Sequence, residues 1–229
     1  MSKTFVLVPG AWLGAWAWKR VVPLLAHDGN TVYPLTLTGM GDRVHLASPQ
    51  VGMETAISDV VNAILYEDLE DIVLVGHSFA GKVVSAVADR MPQRIQTLLF
   101  LDAFIPANIQ TPQGDFGNEG WPTLPEAWRI PLTEEILGMI GKDLQGEDRE
   151  WMLSKVTPWL MRYAGDPITL SGKWNSVRKK AFILCTGGGD DVQAILKRGL
   201  DGPTKVINSG HWPMITKPTE TAQAILELS

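Results

Sequence analysis

The sequence predicts an α/β fold: a parallel sheet covered by helices on both faces and interrupted by one helical insertion. Three observations carry that reading. Short apolar runs, nearly continuous in Val, Ile, Leu and Phe, recur at residues 4–8, 31–37, 71–76, 96–102, 181–186 and 204–207. Such runs suit parallel strands buried on both faces. Amphipathic stretches at 15–27, 54–67, 80–91, 191–200 and 218–228 alternate with them, the rhythm of strand–helix–strand units. From about residue 105 to about residue 173 the rhythm stops.

The 229 residues, 45% hydrophobic and 20% charged, suit one domain with a sizeable core and a smaller insertion. The expected division is a core of residues 1–108 and 174–229 and a helical cap of residues 109–173. The net charge of −5, with no basic run, argues against nucleic-acid partners and anionic membrane surfaces.

The opening strand follows Lys3 but is broken at once by Pro9 and Gly10, so it reads as a core strand rather than a signal peptide. No apolar run approaches transmembrane length. The single cysteine, Cys185, cannot form an intramolecular disulfide and points to a reducing compartment. The expectation is a cytoplasmic protein, with monomer or homodimer left open. The four histidines are scattered, without HExxH or CxxC spacing, so no metal site is expected. No glycine-rich phosphate loop is present either.

The cap stretch carries helical patterns near 133–140 and 147–156 and no convincing strand. It is rich in large side chains: Trp121, Trp128, Trp151 and Trp159, with Met139, Met152 and Met161. These would fill a satellite core in the bland reading. Because the insertion follows the C-terminal end of a strand, where α/β sheets bind ligands, a cap over a substrate pocket is preferred. Trp12, Trp128, Trp159 and Trp212 are the candidate pocket residues.

The strongest chemical signal is Val75-Gly76-His77-Ser78-Phe79-Ala80-Gly81. A strand meets a helix there through a turn with small residues two before and two after a serine. That geometry presents Ser78 Oγ at the sheet's edge, beside a helix N-terminus. Ala80 stands where the strict motif has glycine and is still small; the bland reading of Ser78 is a helix N-cap. A serine needs a base within hydrogen-bond reach. His27 and His45 read as surface residues, and His77 as structural because the elbow turns it away. His211, in Asn208-Ser209-Gly210-His211-Trp212-Pro213 between the last strand and the last helix, has the expected chain order for the base.

The acid that orients such a histidine has two candidates. Asp102 ends an apolar strand, where an unpartnered carboxylate would be costly. Asp190, with Asp191, follows Gly187-Gly188-Gly189 and could equally cap a helix. Asp102 is preferred and Asp190 is the alternative. The expected oxyanion donors are the backbone N–H groups of Phe79 and Ala11, the latter in a loop where Gly10 lets the backbone approach closely.

The stretches Phe5-Val6-Leu7-Val8-Pro9-Gly10-Ala11-Trp12 with Gly14-Ala15-Trp16, the elbow Val75 to Gly81, and Phe100-Leu101-Asp102-Ala103-Phe104-Ile105-Pro106 resemble one α/β-hydrolase branch. It contains plant methylesterases such as the salicylate-binding esterase, hydroxynitrile lyases and many bacterial esterases. The resemblance spans most of the core and is weaker in the cap. It implies a six-stranded parallel core, a helical lid, no cofactor, and hydrolysis of small carboxylic esters. It carries Ser78 over as nucleophile, His211 as base, and Ala11 and Phe79 as oxyanion donors.

Three departures stand out. Pro9-Gly10 replaces the family's His-Gly. The positions where plant members carry their acid are Gly187, Gly188 and Gly189, whereas haloalkane dehalogenases and a lactonase use the place held by Asp102. The lysine that follows the catalytic histidine of cyanohydrin lyases is Trp212 here. The expected activity is a carboxylesterase on a small, fairly apolar ester. The rivals are a C–C lyase, a cofactor-free dioxygenase on the same residues, and a non-catalytic small-molecule binding protein.

Overall fold

The computed structural model describes residues 2–105, 128–187 and 202–229. Six strands form one wholly parallel sheet: β1 (Thr4–Val8), β2 (Thr31–Pro34), β3 (Ile72–His77), β4 (Ile95–Leu101), β7 (Lys179–Cys185) and β8 (Thr204–Ile207). Their spatial order is β2-β1-β3-β4-β7-β8. The chain first builds outward from β1 to β2, then crosses to place β3 on the other side of β1. The order therefore reverses between β1 and β3, and the loops leaving those two strands part there into a crevice.

Alternate residues of the strands feed two cores. Val6, Val8, Leu74, Leu98, Phe100 and Leu184 face α2 (Met53–Tyr66) and α3 (Ala80–Arg90). Phe5, Leu7, Val73, Val75, Leu99 and Ile183 face α1 (Val22–Ala26) and the C-terminal helix α8 (Pro218–Leu228). Burial on both faces explains why the runs are continuous in apolar residues.

Two core elements differ from the sequence reading. The first helix is not continuous over 15–27; a short 3-10 turn, Ala15–Trp18, precedes α1. Pro23 lacks an N–H and fits only the first turn of a helix, so helix formation restarts just before it. The second strand ends at Pro34 rather than at residue 37. Thr31 and Leu35 donate to the Lys3 and Leu7 carbonyls of the neighbouring segment. By alternation Pro34, without a donor, points its nitrogen off this edge strand.

The insertion between β4 and β7 contains α4 (Glu134–Ile140), α5 (Gly146–Leu153) and α6 (Met161–Gly165). Thr133 caps α4, its hydroxyl accepting the Ile136 N–H at 3.3 Å. Contrary to the expectation of no strand here, β5 (Arg129–Ile130) and β6 (Trp159–Leu160) pair antiparallel. Two-residue strands are too short for alternation to show in a sequence. The chain re-enters the core at β7 and closes, after β8, with α7 (Pro213–Thr216) and α8. Among the described residues no helix is long and apolar enough to cross a membrane. The expected helix at 191–200 lies outside the described residues.

Candidate active site

β3 delivers the chain into the elbow. Ser78 has φ +57°, a left-handed conformation a non-glycine residue rarely holds. Its carbonyl accepts the N–H groups of Gly81 and Phe104, each at 3.0 Å, so the turn is fixed from both α3 and the segment after β4. Gly76 is required: a Cβ there would lie 2.6 Å from Val84 Cγ2 and 2.9 Å from the Ala80 carbonyl. Trp12 (φ +64°) and Asp102 (φ +43°) are strained in the same sense. The three residues follow β1, β3 and β4 at one edge of the sheet, as strained residues do at many functional sites; Asp68 and Asp71, which share this conformation, lie in the turn before β3.

The loop after β8 brings His211 to this edge. Its Nε2 lies 2.8 Å from Ser78 Oγ and its Nδ1 lies 2.6 Å from Asp102 Oδ2. An ionised carboxylate only accepts, so Nδ1 carries the proton and Nε2 is left to accept from the serine hydroxyl. Asp102 is buried, and its other oxygen accepts the Cys185 N–H at 3.1 Å. Both carboxylate oxygens are thus engaged, which offsets the cost of burying the charge. The Cys185 thiol has its pKa pushed up, first by burial and then by the Asp102 carboxylate. Asp190 and Trp121 lie outside the described residues.

His77 does turn away from Ser78, and its place is specific. Fully buried, it donates from Nε2 to the His211 carbonyl at 2.7 Å, leaving Nδ1 without a partner among the described residues. Burial, then the neighbouring His211, holds its pKa well below the ordinary histidine range, so it is neutral. Gly10 packs directly on it; a Cβ at Gly10 would sit 2.5 Å from His77 Nδ1 and 2.9 Å from Ser78 Cβ.

The N–H groups of Ala11 and Phe79, in the segments that follow β1 and β3, have no backbone acceptor among the described residues. The loop bearing Ala11 is tied down through Trp12. Its indole N–H donates to the Ile130 carbonyl at 2.9 Å, and its own carbonyl accepts the Thr157 N–H at 3.1 Å.

Trp159 packs at a tilt against both Trp12 (5.7 Å between ring centres) and Phe79 (5.2 Å), and Phe79 stacks on Tyr163 (5.8 Å). Tyr163, which no sequence signal singles out, donates its hydroxyl to the Thr38 carbonyl at 2.6 Å. Trp128 is half-buried beneath the Arg129 guanidinium, 4.1 Å away. Trp212 meets His211 edge-on, 5.9 Å between ring centres, and is buried in the core on the α1 and α8 face with Leu137, Leu144 and Met152. Among the described residues no group of three or more His, Cys, Asp or Glu could hold a metal ion.

Residues 5–224 match the alpha/beta hydrolase family. The chain belongs to that family. This alpha/beta hydrolase is 30% identical over 246 residues to a carbendazim hydrolyzing esterase of Nocardioides sp. (strain SG-4G), with 98% of each chain covered. It is 25% identical to methylesterase 10 of Arabidopsis thaliana, covering 98% of this chain and 91% of that one. Among solved structures, an extracellular alpha/beta-hydrolase from a Paenibacillus species superposes with a TM-score of 0.84 at 21% identity, covering 99% of both chains. Polyneuridine aldehyde esterase superposes at 0.78 with 23% identity, again over 99% of both. The fold and six-stranded sheet of this hydrolase are those the resemblance implies.

Proposed function

We propose that the protein is a carboxylesterase that cleaves small carboxylic esters through an acyl-enzyme on Ser78. The observation that carries the proposal is the position of His211, within hydrogen-bond reach of Ser78 Oγ at 2.8 Å and of Asp102 Oδ2 at 2.6 Å. His211 Nε2 takes the serine proton as Oγ attacks the ester carbonyl, and Asp102 stabilises the imidazolium that results. The N–H groups of Ala11 and Phe79 hold the developing oxyanion. His211 then protonates the departing alkoxide. Water, deprotonated by the same nitrogen, attacks the acyl-serine and releases the acid.

The rings of Trp12, Phe79, Trp159 and Tyr163 support an apolar, small or aromatic substrate, with the described part of the insertion, residues 128–173, as its cap and Trp128 at its margin. Trp212, packed in the opposite core, is left as a wall behind the His211 loop. Relatives named as a carbendazim hydrolyzing esterase and as methylesterases favour the hydrolytic reading over a lyase, a dioxygenase or a binding protein. The lone, buried Cys185 supports a cytoplasmic location.

A chromogenic aryl acetate tests the reaction. An initial burst matching the enzyme concentration, with an acetyl adduct on Ser78 by mass spectrometry, is expected. Ester turnover without any acyl adduct would contradict the proposal.

A further inference from the structure

The loop carrying His211 is held from two sides. His77 grips its carbonyl from the elbow, and the insertion grips its N–H: the Ile140 carbonyl, at the open C-terminal end of α4, accepts the His211 N–H at 3.1 Å. Three residues further on, in the turn between α4 and α5, Asp143 meets the same loop. Its Oδ2 accepts the Thr216 hydroxyl, in α7, at 2.9 Å. Its Oδ1 is buried with no hydrogen-bond partner among the described residues and faces the Cα of Gly210, where any side chain would collide with it.

A carboxylate on a short turn ordinarily gives both oxygens to water, and hiding one without a donor is costly. Such a cost persists where the surroundings over-determine the group. Here Asp143 touches the residue before His211 and the residue five after it, bracketing the base. We propose that Asp143 is a positioning residue for His211, fixing the base-bearing segment 210–216 against the insertion so that the imidazole reaches Ser78 and Asp102 together. The inference rests on His211 being the base.

The test measures kcat, KM and the rate of fluorophosphonate labelling in Asp143→Ala, Asp143→Asn, Thr216→Val, and Asp143→Ala combined with His211→Ala. Displacing a base by a fraction of an ångström should lower kcat and labelling by about tenfold to a hundredfold in Asp143→Ala and Thr216→Val, with KM little changed. Asp143→Asn, which keeps an acceptor for the Thr216 hydroxyl, should restore most of the loss. In the His211→Ala background Asp143→Ala should have no further effect, because it acts through that imidazole. If Asp143→Ala does not fold, Thr216→Val, which removes only a hydroxyl, carries the test. A kcat within about twofold of wild type in both variants, or an equal loss in the His211→Ala background, would overturn the inference. Failure of the underlying reading looks different: His211→Ala alone would then label at the wild-type rate.

Discussion

Asp102 Oδ2 meets His211 Nδ1 at 2.6 Å, and it does so from the end of β4, the strand next to the nucleophile's own. The second oxygen is tied across the sheet to the Cys185 N–H at the end of β7. The carboxylate is therefore fixed by two strands independently of its contact with the histidine. Asp102→Asn should place an amide N–H or a weaker acceptor against Nδ1, favour the wrong tautomer and lower kcat by at least about 10²-fold. Asp190→Asn should be nearly silent, since asparagine caps helices as well as aspartate. Steady-state kinetics on one chromogenic ester separates the two, and a reversed pattern would move the acid to Asp190.

His77 should make folding stability fall on acidification. Burial holds it neutral in the folded state, whereas the unfolded chain protonates it below about pH 6.5. Its contribution is complete above that pH and is lost as the pH drops below it, at up to about 1.4 kcal/mol per pH unit. His77→Gln keeps an N–H for the His211 carbonyl and cannot titrate, so it should flatten the slope. Urea midpoints at about pH 7 and about pH 5 measure this, and equal slopes in both proteins would contradict it.

Cyanide release from mandelonitrile-type cyanohydrins should be marginal. The developing anion would need a cation beside the base, and Trp212, the next residue, turns its uncharged ring into the opposite core. A cyanide-specific assay with wild-type enzyme checks this, and efficient release would refute it.

Much of the fold is legible in the sequence because the strands are buried on both faces, so each reads as an unbroken apolar run. Ser78 and His211 are legible for another reason: each sits where a strand hands over to a helix beside small residues, the local signature of a tight turn at the sheet's edge. Asp102 is only half legible. Its choice over Asp190 depends on which strand stands beside β3, and the register of Leu101 against Ile183 is a tertiary fact. The pairing of β5 with β6 and the contact of Asp143 with Gly210 carry no local pattern at all, since both join segments far apart in the chain. Likewise, His77 next to the nucleophile signals only structure until the fold brings the His211 carbonyl to its Nε2.

The central claim, that Ser78 is the nucleophile and His211 its base, is tested most directly by covalent labelling with a fluorophosphonate and peptide mapping of the adduct. Ser78→Ala and His211→Ala should each lower kcat by about 10³-fold or more, and the double variant should lose little beyond either, because the pair acts as one unit. In the labelling experiment the wild type should carry a single adduct on the peptide containing Ser78, and Ser78→Ala should carry none. An adduct retained in Ser78→Ala, or esterase turnover that survives that substitution, would contradict the account.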